Sequence, residues 1–176
     1  MMWRTHLLYG INALWVLTLI PADLLACDFG SLAACAALGA LLPDLDAAES
    51  KVKHLQIISI KPFFPVAEVV HRSDRHRGLL HSLLGLGLVM ISLVTLSDWT
   101  GWAPIAALLL GYASHLAADA STKSGIPLLY PREQRFYLLP KRCRITTGSL
   151  AEDMLLPFLA AFALLLLLNQ LNAMQP

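Results

Sequence analysis

The sequence predicts an all-α protein: a polytopic membrane helical bundle of about five transmembrane helices, its N-terminus cytoplasmic and a polar site at the cytoplasmic face. Three observations predict it. Of the 176 residues, 57% are hydrophobic and only 14% are charged, too apolar for a water-soluble domain of that length. The apolar residues gather in five runs, residues 7–20, 29–42, 79–97, 103–118 and 154–171. Apart from Arg4, every cation falls in one of two connections. Residues 43–78 hold Lys51, Lys53, Lys61, Arg72, Arg75 and Arg77, and residues 119–153 hold Lys123, Arg132, Arg135, Lys141, Arg142 and Arg144. The opposite connections carry only Asp23, Asp28 and Asp98. Under the positive-inside rule this means five crossings, with the long loops 43–78 and 119–153 in the cytoplasm and the C-terminus outside. The whole chain, 1–176, reads as a single integral-membrane domain.

A span needs about 20 mostly apolar residues. The first run reaches that length when extended through Leu24 and Leu25, with Trp3 at the inner interface. The "LLAC" that ends at Cys27 has the look of a lipoprotein-type signal, but Asp23 interrupts its apolar approach. The second run is short and rich in Ala and Gly, so it is either a span packed among neighbours or a re-entrant piece. The third and fifth runs suffice alone; the fourth nearly does, with Trp99 and Trp102 at its outer end. Cys27, Cys35 and Cys143 are odd in number and form no CxxC pair, so neither a disulfide framework nor a cysteine-based metal site is indicated.

The predicted topology gathers the reactive side chains. His6 opens the first span, and Asp44 and Asp46 follow the second in "PDLD". His76 and His81 precede the third in "RHRGLLHS", His115 and Asp119 end the fourth, and Glu152 precedes the fifth. All fall at the cytoplasmic face. His115 and Asp119, four residues apart, share one helix face; that spacing suits two metal ligands, and equally a hydrogen bond at a helix end. Asp44 and Asp46 offer hard anionic oxygens to a divalent ion, or simply form an interfacial turn. A change from loop to helix at Gly78 would bring His76 and His81 together. Ser149 and Glu152 have the spacing of a capping box, which is compatible with Glu152 facing the same site.

At these residues the sequence resembles a known family. "GALLPDLD", "HRGLLHS", "GYASHLAADAST" followed by "GIPLLYP", and "RITTGSLAED" are similar to the serial motifs of the YdjM-like bacterial inner-membrane proteins. These are described as membrane-bound, metal-dependent hydrolases. A more distant likeness is to the bacterial zinc phospholipases C, helical enzymes whose zinc ions are held by histidines and aspartates. By motif, that likeness implies His115 and Asp119 as ligands, an Asp of "PDLD" and a His of "HRGLLH" as further ligands, and His6 more loosely. The phospholipases also carry a late HxxxE helix, and this chain has no His after His115.

The expected metal ligands are therefore His6, Asp46, His76, His81, His115 and Asp119, with Asp44 and Glu152 as catalytic carboxylates. Imidazole with carboxylate favours zinc, one to three ions, with manganese or iron as alternatives. Arg77 and Arg144 are the expected binders of an anionic substrate. A site at the inner leaflet suits a phosphoester, including one carried on a lipid, and residues 57–70 are expected to form part of its entrance. The alternative is a non-catalytic scaffold or a metal carrier. A carrier needs ionisable residues deep in its spans, whereas the mid-span polar residues are Asn12, Thr18, Ser92 and Thr95. Nucleic-acid binding is unsupported, because the basic loops lack interleaved aromatic platforms and lie against a membrane. The oligomeric state is left open, although Gly85, Gly87 and the Ala/Gly-rich second run permit close helix packing.

Overall fold

Each apolar run of the sequence carries a helix. The computed structural model describes residues 1–20, 27–46, 78–95 and 97–173. Helix α1 is Trp3–Ala13, continued by a 3-10 segment Leu14–Leu19. Helix α2 is Phe29–Leu41, continued by a 3-10 turn Leu42–Asp46. A 3-10 turn Leu79–His81 leads into α3, Leu83–Val94, and a short α4, Ser97–Thr100, precedes α5, Trp102–Ala120. The last helix, α6, is Leu150–Ala173. Among the described residues there is no strand, only two isolated bridges, Thr122 to Ile145 and Ile126 to Phe136, which fold the loop between α5 and α6.

Side-chain caps set two of the helix starts. Asp28 accepts from the Ser31 amide at 2.9 Å and the Ser31 hydroxyl at 2.6 Å, which opens α2. The Ser31 hydroxyl first, and its amide second, hold the exposed Asp28 carboxyl below the usual range. Ser82 accepts from the Gly85 amide at 3.2 Å and opens α3. That cap corrects one expectation. The third run was long enough to span alone, but Ser82 is extended, so α3 has only 12 residues, about 18 Å at 1.5 Å per residue. Among the described residues, only Leu150–Asn172 of α6 is a helix long and apolar enough to cross a bilayer by itself.

Small residues draw α1, α2 and α5 together. A Cβ on Gly111 would stand 2.0 Å from the Ala36 carbonyl oxygen, and one on Gly39 would stand 2.0 Å from that of Leu108. No side chain fits there, so α2 and α5 touch backbone to backbone. Gly10 of α1 approaches the Ala36 carbonyl as well, where a Cβ would meet it at 2.7 Å. Leu14, Leu17, Leu32, Ala36, Ala107 and Leu166 fill the core beside these contacts. Asn12 Nδ2 donates to the carbonyls of Leu8 and Leu159, both at 2.9 Å, and so ties α1 to α6.

The outer faces of α3 and α6 are apolar and bare: Ile91 is 64% exposed and Phe158 65%. An apolar surface that continuous marks contact with lipid or protein rather than water.

Candidate metal centre

The backbone contact between α2 and α5 sets up the polar cluster. One turn beyond Gly111 along α5 comes His115, and one turn beyond Ala36 along α2 comes Ala40. The His115 Nδ1 donates to the Ala40 carbonyl at 2.7 Å. This bond fixes the ring and its tautomer, leaving a lone pair on Nε2. The next turn of each helix brings Asp119 and Asp44 to the same end. His81 arrives from the turn before α3, which is pinned by the buried Tyr112: its hydroxyl donates to the Leu80 carbonyl at 2.5 Å.

Four donor atoms converge as a result. His81 Nε2 and His115 Nε2 are 3.2 Å apart. Asp44 Oδ1 lies 3.5 Å from the first and 3.7 Å from the second. Asp119 Oδ2 lies 3.7 and 3.9 Å from the same two nitrogens. Zinc held tetrahedrally with Zn–N near 2.0–2.1 Å puts its donors about 3.3–3.4 Å apart. The five separations run from just below that value to about 0.5 Å above it, and one donor atom each of Asp44, His81 and His115 all lie within 4.8 Å of one another.

His81 and His115 are fully buried and Asp119 is 1% exposed; an ionised carboxylate in such surroundings needs a partner, and the Met1 amino group already gives Asp119 one.

His6 completes a second, overlapping group with His115 and Asp119. Its ring stacks on that of His115, centroids 3.7 Å apart and planes 14° from parallel. Its Nε2 is 3.3 Å from Asp119 Oδ1, the oxygen that also receives the Met1 amino group. The buried His6 Nδ1 has no hydrogen-bond partner among the described residues. Since His115 has a single lone pair to offer, the two groups cannot each hold an ion through it.

Comparison with known proteins gives the chain its family. Residues 1–174 match the family model described as YdjM inner membrane protein. The chain belongs to the YdjM family. It is 38% identical over 116 residues to the inner membrane protein YdjM of Escherichia coli (strain K12), a match covering 63% of this chain and 55% of that protein. The Shigella flexneri protein of the same name gives the same figures. The chain thus spans about half the length of these two curated relatives. It is 33% identical over 155 residues to the uncharacterized protein YvsG of Bacillus subtilis (strain 168), covering 87% of this chain and 86% of that one. No solved structure matches. Family membership makes this a membrane protein of the bacterial inner membrane, while none of these relatives is named as a phospholipase C.

The predicted residues of this YdjM-family chain separate into three sets. Asp44, His6, His81, His115 and Asp119 come together from four stretches of sequence, and Asp44 stands among the ligand-type groups rather than behind them. Glu152 does not join them. Its Oε1 accepts from the Met2 amide at 2.6 Å and the Thr5 hydroxyl at 2.8 Å, and its Oε2 from the Gly148 amide at 2.7 Å. These bonds engage both of its oxygens and strap the start of α6 to the start of α1. The capping box does not form, since Glu152 reaches the Gly148 amide rather than that of Ser149, and the Ser149 hydroxyl has no hydrogen-bond partner among the described residues. Arg144 likewise turns away: its Nε donates to the Leu139 carbonyl at 3.0 Å and its guanidinium lies 3.5 Å over the Tyr137 ring. His76, Arg77, residues 57–70 and the Asp46 side chain lie outside the described residues.

Sequence reading missed the supports. Thr5, the Ala40 carbonyl and Tyr112 position the polar groups without being ligand types themselves. Tyr112 stands three residues before His115, on the same helix face, which is the one signal that could have found it.

Proposed function

We propose that this protein is a membrane-embedded, metal-dependent hydrolase of phosphoesters, with His81, His115, Asp44 and Asp119 holding a divalent ion, zinc first. The observation that carries the reading is that His81 Nε2 and His115 Nε2, 3.2 Å apart, each have an Asp44 oxygen and an Asp119 oxygen at 3.5–3.9 Å. A divalent ion bound there supplies a Lewis acid for the phosphoryl oxygen and lowers the pKa of water toward about 7. The chain's own part is positional. The Ala40 carbonyl holds the His115 tautomer, and the Tyr112 hydroxyl holds the turn that presents His81. His6 backs Asp119 from the side away from His81. Asp44 is the group best placed to meet a substrate, since its side chain is 24% exposed while the others are buried.

Helix lengths support a multi-pass arrangement. Helix α1 with its 3-10 continuation measures about 28 Å, as does α5, and α2 with its continuation about 30 Å, against a hydrocarbon core of about 30 Å. The same reading puts the cluster at the cytoplasmic end of the bundle, where both cation-rich connections lie. A carrier fits less well. Asn12, Thr18, Ser92 and Thr95 all donate to backbone carbonyls of nearby turns or of α6, so they form no polar path through the bundle.

The test is turnover. Zinc-loaded and manganese-loaded protein in detergent should release product from at least one phosphomonoester, phosphodiester or phospholipid, and Asp44→Asn should abolish that release. Protein with a full complement of metal and no turnover on any of the three classes would replace the hydrolase by a metal-binding scaffold.

A further inference from the structure

The face of α5 beside the polar cluster is built differently. Ala113, Leu116 and Ala117 follow the three- and four-residue spacing of one helix stripe. With Leu83 and Leu86 of α3 and Ile126 of the following loop they wall a cavity of about 210 Å³ whose lining is wholly apolar. That exceeds the apolar cavity of about 150 Å³ that admits benzene and stays dry. Leu83 and Leu128 continue into an open groove of about 430 Å³, whose rim carries Tyr130 and the exposed Arg132. Both elements border the polar cluster in sequence: Leu116 follows His115, and Leu83 lies two residues after His81. The exposed Leu84, Leu88 and Ile91 beside the groove leave it open to a bilayer.

We propose that the cavity and groove bind one anionic glycerophospholipid, a hydrocarbon chain lying in the cavity and the phosphate meeting Arg132. The walls offer no hydrogen-bonding side chain, so a water-soluble ester gains nothing from them, whereas a hydrocarbon chain buries apolar surface against them. At the mouth, the planar guanidinium matches a phosphate bidentately. A headgroup with no cation of its own leaves that attraction uncancelled, which selects anionic over zwitterionic lipid. This deepens the hydrolase reading and rests on it for one point, that the bound lipid is the ester presented to the His/Asp cluster.

The experiment uses the full chain, equilibrated with mixed phosphatidylglycerol and phosphatidylcholine vesicles and re-extracted into detergent. Retained lipid is counted by native mass spectrometry, and zinc is measured on the same samples. Wild type should keep phosphatidylglycerol over phosphatidylcholine by at least about five-fold. Ala117→Phe places a ring in the cavity from an exposed wall position and should cut lipid retention by a similar factor, with zinc and helicity unchanged. Ala113→Phe serves the same purpose should the first variant fail to fold. Arg132→Gln should bring the two lipids toward parity. Equal retention of both lipids by wild type, or undiminished retention in folded cavity-filled variants, overturns the proposal. Zinc retained without phosphatidylglycerol refutes the lipid site alone, whereas phosphatidylglycerol retained without zinc supports the lipid site and refutes the hydrolase reading.

Discussion

Replacing Gly111 by alanine tests how the centre is built, because the substitution touches no candidate ligand. The added Cβ would stand 2.0 Å from the Ala36 carbonyl oxygen, 2.8 Å from its carbon and 3.0 Å from its Cα, where ordinary contact begins at 3.4 Å. All three atoms are backbone, so relief requires α2 and α5 to part by more than about 1 Å. Metal–ligand distances are held to about 0.2 Å, and His115 and Ala40 lie one turn beyond the clash. The displacement breaks the 2.7 Å bond that orients His115 and carries Asp44 away from Asp119. Losing an orienting partner alone costs about 10–100-fold in metal affinity, so about 100-fold or more is expected here. Overpacking costs about 1–3 kcal/mol, partly offset by the roughly 1 kcal/mol by which alanine exceeds glycine in a helix. The protein should therefore stay folded. Zinc affinity by chelator competition, with circular dichroism as the folding check, reads the result. Gly39→Ala should behave alike, whereas Gly87→Ala, with nothing within 4 Å of its Cβ, should change neither quantity. Unchanged zinc affinity in Gly111→Ala would refute the claim that this helix contact sets the ligand spacing.

Three further outcomes follow from the same geometry. Tyr112→Phe strips the Leu80 carbonyl of its partner, which should cost about 1–3 kcal/mol by thermal unfolding in detergent and weaken zinc binding through His81. Glu152→Ala removes three charge-assisted bonds and should cost about 2 kcal/mol or more, yet leave zinc content intact; loss of zinc in a folded variant would return Glu152 to the site. Lowering the pH should release the metal, because protons compete with it for imidazole and carboxylate ligands. Zinc affinity should fall as the pH is lowered, and affinity that does not depend on pH would argue against titratable ligands.

Much of the site was legible because its members are the few titratable groups in an apolar chain. The His115–Asp119 pair follows directly from helical spacing, and "PDLD" sits where α2 ends. What the sequence did not disclose are the contacts that depend on close backbone approach. Gly39 and Gly111 read only as small residues until the Ala36 and Leu108 carbonyls are seen against them. Glu152 is ambiguous in the sequence, since one carboxylate can cap a helix or serve a site, and the structure shows it accepting from Met2, Thr5 and Gly148. The third run read as one continuous span, but Ser82 breaks it, since a cap and a buried His81 outrank hydropathy there. Arg144 looked available to an anion by charge alone, and the Tyr137 ring beside it cannot be inferred from spacing.

The central claim is that His81, His115, Asp44 and Asp119 hold a divalent metal ion. Elemental analysis of protein purified without chelator, wild type beside His115→Ala and Asp119→Ala, tests it most directly. The account predicts near-stoichiometric zinc, manganese or iron in wild type and its loss in both variants. Wild-type protein that stays metal-free, even after incubation with those ions, would contradict it.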